Sequence, residues 1–556
     1  MDLSVSILIG VLVLLFFLAA FIILKTMLFS PRQKKVKPRE LVQIDGESVA
    51  ERLGLAVQYK TIAYPEPEKM DGGAFTGLHR LLQTLYPQVH TSLKREVIND
   101  YSLLYTWEGT NPDLQPIMLI AHMDVVPADE SATSGWSHPP FSGERSDGYV
   151  WGRGTLDIKS SVIGIMEAVE YLLKQGFQPE RTVYIGFGHD EEIGGANGAV
   201  AIAQLLQTRG VQLGSLLDEG GSVIEGFLPD VETPVAVIGI SEKGYLSLKL
   251  TVEVDGGHSS MPPQETAIGL LSLAIARLQA SPMPARLEVV EFLMGYIGSA
   301  LPFKQRMAFA NTWLFRNRLI NELSESKTLN AMIRTTTAPT IFQAGMNDNV
   351  LPGKAEAVVN FRILPGDDLR LVYETVLEII ADERVKVTPF QGDTLEGESG
   401  WNPSPVADTD SAYFYRLTRL AREAFPGALA APYLVLGGTD ARHYAEVTDN
   451  ALRFTPILMT TEDLQRMHGV NERLSFEECS RMVGFYIAYI EEMSQLPAEV
   501  DIVKEPEPLE EPLPFEDDFL EEMPQGEPAD QASEPESEPE SEAEAPADEG
   551  EAADKA

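Results

Sequence analysis

Cysteine is nearly missing from this 556-residue chain: Cys479 stands alone. A single thiol excludes an intramolecular disulfide and a thiolate zinc cluster. Positive charge is scarce as well, with 43 lysines and arginines against 84 acids. No basic patch is long enough to hold nucleic acid, and no internal repeat divides the chain. The formal charge of −41 is unevenly spread. From Glu499 to Ala556 there are 23 acids and two lysines, a net of −21, which leaves −20 for everything before them. That Glu/Pro/Ala/Ser tail also lacks the apolar residues needed to fold. Disorder is therefore expected over 499–556, as a solvated, self-repelling chain.

At the other end it is charge itself that is missing. Leu3 to Leu24 carries none. At 1.5 Å per residue a helix of that length spans about 33 Å, roughly a bilayer core. The segment has no basic n-region and no small-x-small cleavage site, so it reads as an uncleaved single-pass membrane anchor rather than a signal peptide. It is apolar all round, which tells against an amphipathic core helix. Lys25, Arg32, Lys34, Lys35, Lys37 and Arg39 follow it, while only Asp2 precedes it. That bias points the large domain to the cytoplasm, and the lack of disulfides fits that side without requiring it. The membrane side stays open.

After this anchor and basic linker (1–40), a globular region begins near Leu41. "PIMLIAHMD", "TVYIGFGHD" and "GSLLDEGG" read as buried strands. Between the first two, Ile158, Val162, Ile165, Met166, Val169 and Leu172 make one helical face, with Gly176 as the C′ residue. Strand, helix and strand with continuous apolar runs imply an α/β domain on a mostly parallel sheet flanked by helices. Near Ser241 the pattern changes to the period-two alternation of "YLSLKLTVEVDG" and "AEAVVNFRILP", as in a half-exposed antiparallel sheet. The expected division is a first catalytic part over 41–240, an inserted α+β lid over 241–394 with a helical stretch at about 284–337, and a second catalytic part over 395–498. Ser475 and Glu478 have capping-box spacing at the last helix, and Cys479 falls on its apolar face.

Ligands and bases in such a fold are expected at the carboxyl ends of strands. "PIMLIAH" ends in His122 with Asp124 two residues on, on the same side. That carboxylate is placed to accept the second ring N–H of a ligand histidine. "GRGTLD" supplies Asp157, "GHDEE" supplies Glu191 and Glu192, "LLDEGG" supplies Asp218 and Glu219, and "RMHGVNE" supplies His468. Asp190 reads as a cap. Carboxylates gathered at one sheet end repel unless a cation joins them. Two histidines among carboxylates favour zinc, with cobalt or manganese as substitutes.

"AHMDVVP", "GRGTLDIKS", "GHDEEIGG", "LLDEGG", "GGHSSMPP" and "MHGVNERLS", in that order, resemble the co-catalytic dizinc peptidase and amidohydrolase family. That family includes aminoacylase, succinyl-diaminopimelate desuccinylase and glutamate carboxypeptidase. The likeness runs from about residue 45 to 496 and is strongest to the carboxypeptidase S branch, which includes N-fatty-acyl-amino-acid synthase/hydrolase. The resemblance implies two zinc ions per subunit bridged by Asp157. His122 and Asp218 would complete one site, and Glu192 and His468 the other. Asp124 would orient His122, and Glu191 would be the general base. The resemblance also implies a cis peptide at Asp157–Ile158. In the lid, His258 is implied to stabilise the oxyanion, within the chain or across a homodimer formed through the lid. Arg362 would clamp a substrate carboxylate, helped by Asn349, with Gly438, Thr439 and Arg442 near the same pocket. For Arg362 the bland reading is an ion pair between lid and core.

Together these readings describe a membrane-anchored metallohydrolase cleaving an amide bond next to a free carboxylate, in a small peptide or an N-acyl amino acid. Two rivals remain. An aminopeptidase would need an acid at the substrate's amine end. A non-catalytic, membrane-tethered binding module would be expected to lack ligands.

Overall fold

A strand covered on both faces has to be apolar throughout, and Ile117–His122 is buried at every position. The computed structural model describes residues 3–29, 33, 35–228 and 231–498; Asp2, Arg32, Lys34 and the acidic tail lie outside that set. Ile117–His122 runs parallel to Val183–Gly188 on one side and to Ser215–Asp218 on the other. Ala451–Arg453 continues the parallel set beside Ser215–Asp218. Leu429–Val435 runs parallel to Val235–Glu242. Two antiparallel strands, Lys94–Ile98 and Ser102–Trp107, finish one edge of this ten-stranded sheet.

The crossover helix is Lys159–Lys174. All six residues expected on its inner side, from Ile158 to Leu172, are buried. It ends in a Schellman motif. Gly176 takes φ +72°, its N–H donates to Leu173 O at 3.0 Å, and Phe177 N–H donates to Leu172 O at 3.0 Å. The final helix, Phe476–Met493, packs against it and buries Cys479 completely. Ser475 Oγ accepts the Glu478 N–H at 3.1 Å, but the Glu478 carboxylate turns to Leu458 N–H instead, so only half of the capping box forms.

The alternating segments build a second sheet. Thr336–Ala344, Lys354–Ile363, Gly244–Glu253 and Val385–Pro389 lie side by side and antiparallel. Leu246, Leu248, Leu250 and Val252 share a separate core with the helices Ala267–Ala280 and Leu369–Ile380. Gly400–Trp401 also pairs with Gly244–Glu253, so this sheet recruits residues beyond 394.

The helical stretch departs from expectation. Adjacency in the chain assigned it to the lid, yet its apolar faces find their partner elsewhere. Glu288–Ile297, Phe303–Ala310, Thr312–Glu325 and Lys327–Ile333 bury Leu293, Leu319 and Ile333 with Val235, Val237 and Ala431 of the large sheet. At the N-terminus, Leu3–Leu28 is one helix, long and apolar enough to cross a membrane, with Thr26 its only buried residue.

Candidate metal centre and substrate cavity

Connections at the carboxyl end of the parallel strands carry Asp157, Glu191, Glu192 and Glu219, and the segment 467–472 brings His468 to the same place. Asp157 sits at the middle. Its Oδ1 lies 3.0 Å from His122 Nε2 and its Oδ2 lies 2.9 Å from His468 Nε2. Glu219 Oε1 is 3.2 Å from His122 Nε2, and Glu192 Oε2 is 3.2 Å from His468 Nε2. Two groups of three donors result, His122–Asp157–Glu219 and Asp157–Glu192–His468, with Asp157 common to both.

Asp218, expected in the first group, is not there. Period-two alternation puts it on the side of Leu216, which packs in one cluster with Ala441 and Tyr444. Its Oδ2 accepts the Ala441 N–H at 2.8 Å, at the start of the short helix Asp440–Tyr444. The next side chain, Glu219, reaches the donors instead.

Asp124 does two jobs, only one of them anticipated. Its backbone carbonyl lies 3.0 Å from His122 Nδ1, whereas its carboxylate is 3.5 Å away. A proton on Nδ1, donated to that carbonyl, leaves the Nε2 lone pair facing Asp157. The Asp124 carboxylate accepts the N–H groups of Glu191 (3.2 Å) and Glu192 (3.0 Å), which fixes the turn holding both acids. Asp190 caps from the other side, accepting from Asn197 N and Gly198 N at 2.7 and 2.8 Å.

Glu472 was not singled out by its sequence, although it lies inside the "MHGVNERLS" motif. It is fully buried, pairs with Arg153 at 2.6 Å, and accepts the N–H groups of Gly154 (2.9 Å), Leu156 (2.7 Å) and Asp157 (3.3 Å). It therefore shapes the loop that presents Asp157. The peptide after Asp157, expected to be cis, is trans: the described residues contain no cis bond, and Ile158 enters the helix with φ −131° and ψ 40°.

The electrostatics call for a cation. Burial, reinforced by the Asp157 charge, pushes the Glu219 carboxyl up to about 8. Burial also raises Glu191 well above the usual carboxylate range. The Asp157 and Glu192 carboxylates, as hydrogen-bond acceptors for its ring N–H, raise His468 to about 10. Among the described residues no lysine or arginine pairs with Asp157, Glu191, Glu192 or Glu219, and Glu192 Oε1 is buried without a partner. Carboxylates collected without a fixed counter-charge, and opposed by two imidazoles, suit divalent metal.

Glu191 belongs to neither donor group. Its Oε2 stands 4.0 Å from His122 Nε2, beside them at the cavity wall. The cavity, about 950 Å³, runs from this centre past Ile224, Phe227, Tyr433 and Met459. Four side chains in its wall stack in order. Arg442 lies over the Trp401 ring at 4.7 Å, Trp401 stacks on Tyr245 at 4.6 Å, and Arg362 lies over Tyr245 at 5.0 Å. Arg442 is held by the carbonyls of Thr439 (2.9 Å) and Gly194 (3.1 Å). No carboxylate among the described residues pairs with Arg362 or Arg442, so the ion pair between lid and core is not formed. Thr439, beside Gly438 in the wall, is anchored by the buried Glu242, which also pairs with Arg453.

His258 and Asn349 are not brought to the cavity. Both are exposed, at the small two-stranded antiparallel sheet in which Gly257–His258 pairs with Val350–Leu351. The His258 ring accepts from Ser260 Oγ at 2.8 Å and Ser260 N–H at 3.1 Å.

A mostly parallel sheet whose strand ends surround one carboxylate shared by two histidine-containing groups defines a metal-dependent hydrolase. Residues 118–492 match Peptidase family M20/M25/M40, and the chain belongs to that metallopeptidase family. Among its relatives, a probable carboxypeptidase S-like 2 of Dictyostelium discoideum is 40% identical, over 86% of this chain and 92% of its own. An N-fatty-acyl-amino acid synthase/hydrolase of Xenopus tropicalis is also 40% identical, over 81% and 87%. In fold, the chain resembles an M20 family metallo-carboxypeptidase from Sulfolobus solfataricus, with a TM-score of 0.57 at 16% identity, over 81% of this chain and 99% of that one.

Proposed function

We propose that the protein is a membrane-anchored, zinc-dependent hydrolase of amide bonds that adjoin a free carboxylate, acting on N-acyl amino acids with a lipophilic acyl group or on peptide C-termini. The observation that carries this reading is the pairing, in one cavity, of a centre of four acids and two histidines with an arginine that has no acid partner among the described residues. Arg362 would take the substrate carboxylate in a bidentate pair. Its stacking on Tyr245 holds the guanidinium plane in place for that. The apolar wall from Ile224 to Met459 would receive the acyl chain.

Zinc, with cobalt or manganese as substitutes, would be held by His122, Asp157 and Glu219 and by Asp157, Glu192 and His468, and would polarise the scissile carbonyl and acidify the attacking water. Glu191 takes the proton from that water and passes it to the leaving amine. Asp124 keeps Glu191 and Glu192 on one rigid turn. The helix Leu3–Leu28 anchors the enzyme beside its substrates, since a lipophilic acyl chain partitions into the bilayer.

The test is purified full-length protein, loaded with zinc or cobalt, on N-acyl amino acids of increasing chain length and on dipeptides, each as free acid and methyl ester. Turnover should need the free carboxylate and stop with chelation. Each added methylene should tighten binding by up to about fourfold while the chamber fills. No metal-dependent release from either panel would sink the reading. A preference for substrates with a free amine would favour an aminopeptidase instead.

A further inference from the structure

The end of the apolar helix is fastened to the body. Asn311 forms the corner between Phe303–Ala310 and Thr312–Glu325. Its Nδ2 lies 3.2 Å from Thr26 Oγ1 and 3.4 Å from Ile22 O. Phe303–Ala310 packs along the apolar helix, and Phe29 packs against the core of the helical stretch. The linker is pinned too. The Gln33 amide donates to Ala430 O (2.6 Å) and Tyr296 O (3.1 Å) and accepts the Ala430 N–H (3.2 Å). Arg39 N–H donates to Glu423 O at 3.1 Å, and its guanidinium pairs with Glu491 and Glu492. With those ties the body has little freedom to swing away from the helix.

Around the same corner, large apolar side chains are left in the open: Phe303 at 46% exposure, Trp313 at 55% and Leu314 at 48%. Lys304, Arg316 and Arg318 are exposed among them. Tryptophan and aliphatic side chains interspersed with lysine and arginine are what a bilayer boundary selects. The depth agrees. If Leu3–Leu24 fills a hydrocarbon core of about 30 Å, then Ile22 to Thr26 marks the boundary. Asn311 then lies at that level, with Trp313 and Leu314 two and three residues further on.

We propose that this corner, through Phe303, Trp313 and Leu314, is seated in the headgroup–acyl boundary of the bilayer that the apolar helix crosses. The proposal rests on Leu3–Leu28 being a membrane span. It gives the helical stretch a purpose that a lid would not. Thr312–Glu325 covers about 21 Å and leads from the corner to Ser326, which lines the substrate cavity. Leu329 and Phe227 line that cavity and pack against the same apolar core as Phe29. If the substrate is lipophilic as proposed, it would meet the cavity wall at the far end of this helix on leaving the bilayer.

The full chain in vesicles of phosphatidylcholine and phosphatidylglycerol tests this, with single cysteines carrying an environment-sensitive fluorophore. Cys479 is buried and leaves the labelling selective. Phe16→Cys reports the span, Trp313→Cys the corner, and Leu371→Cys an exposed position on the lid helix. Nitroxides on lipid acyl chains should quench the labels at 16 and 313 and spare the one at 371, while aqueous iodide should quench only the last. Lipid quenching at 16 with iodide quenching at 313 overturns the seating and leaves the anchor intact. Protection of the label at 313 from both quenchers means that protein, not lipid, covers the corner, and overturns it equally. Absence of lipid quenching at 16 removes the anchor and the seating together, without touching the hydrolase assignment.

Discussion

Two neighbouring acids in "LLDEGG" end up in different surroundings, and the reason is parity. Asp218 inherits the side of Leu216 and meets the Ala441 N–H, while Glu219 reaches His122. Glu219→Gln should therefore lower bound metal, whereas Asp218→Asn should keep it and lose stability, by about 1–2 kcal/mol for a weakened buried hydrogen bond. Metal content by mass spectrometry on both variants checks this; the reverse pattern would restore Asp218 to the ligand set. The adjacent acids Glu191 and Glu192 divide in the same way, one outside the donor groups and one within. Glu191→Gln should retain its metal and lower kcat by about 10²–10⁴-fold, the usual worth of a general base. Near-normal turnover in that variant would assign the proton to another group.

At the scale of elements, the strand ends were legible because a buried parallel strand is an unbroken apolar run and its last residues must face the sheet's carboxyl edge. His122, Asp157, Glu192 and His468 came from that rule and from the motif order, and the structure brings them together. What a linear pattern could not carry was the choice between adjacent acids, the Glu472 brace on the Asp157 loop, and the destination of the helical stretch, whose partner strand Leu429–Val435 lies far along the chain. The stack Arg442–Trp401–Tyr245–Arg362 belongs here too, since it joins the lid sheet to the short helix Asp440–Tyr444 through residues that no local period connects. If Arg362 clamps the substrate carboxylate, Arg362→Met should reduce kcat/KM by about 30–150-fold on free acids, the cost of an unpaired charge of about 2–3 kcal/mol. Methyl esters should be affected far less. Equal losses on both would mean that the arginine supports the lid rather than reading the substrate.

For the whole molecule, net charge is a poor guide to acid stability, because so much of the −41 lies in the tail. Buried histidines are a better one. Burial pushes His79, whose ring nitrogen is 2.8 Å from Tyr101 O, down to about 4. Burial and then the Arg442 charge do the same to His443, also to about 4. Both rings are neutral in the folded state where the unfolded chain, with ordinary values near 6.5, would protonate them. The unfolded state therefore binds more protons between about pH 6.5 and 4, so stability falls as pH drops through that window and is fully present above it. Allowing for partial solvent access, each histidine should cost about 1 kcal/mol by pH 5. Several buried carboxyls with raised values act in the opposite direction, so the absolute curve mixes signs. A difference measurement removes them. His79→Gln keeps an N–H for Tyr101 O and cannot titrate. Its unfolding free energy in urea should decline less than the parent's between pH 7 and pH 5, by about 1 kcal/mol. Identical slopes for the two proteins would mean that the folded state takes up a proton at this position as readily as the unfolded chain, and that the acid limb of the stability curve is set elsewhere.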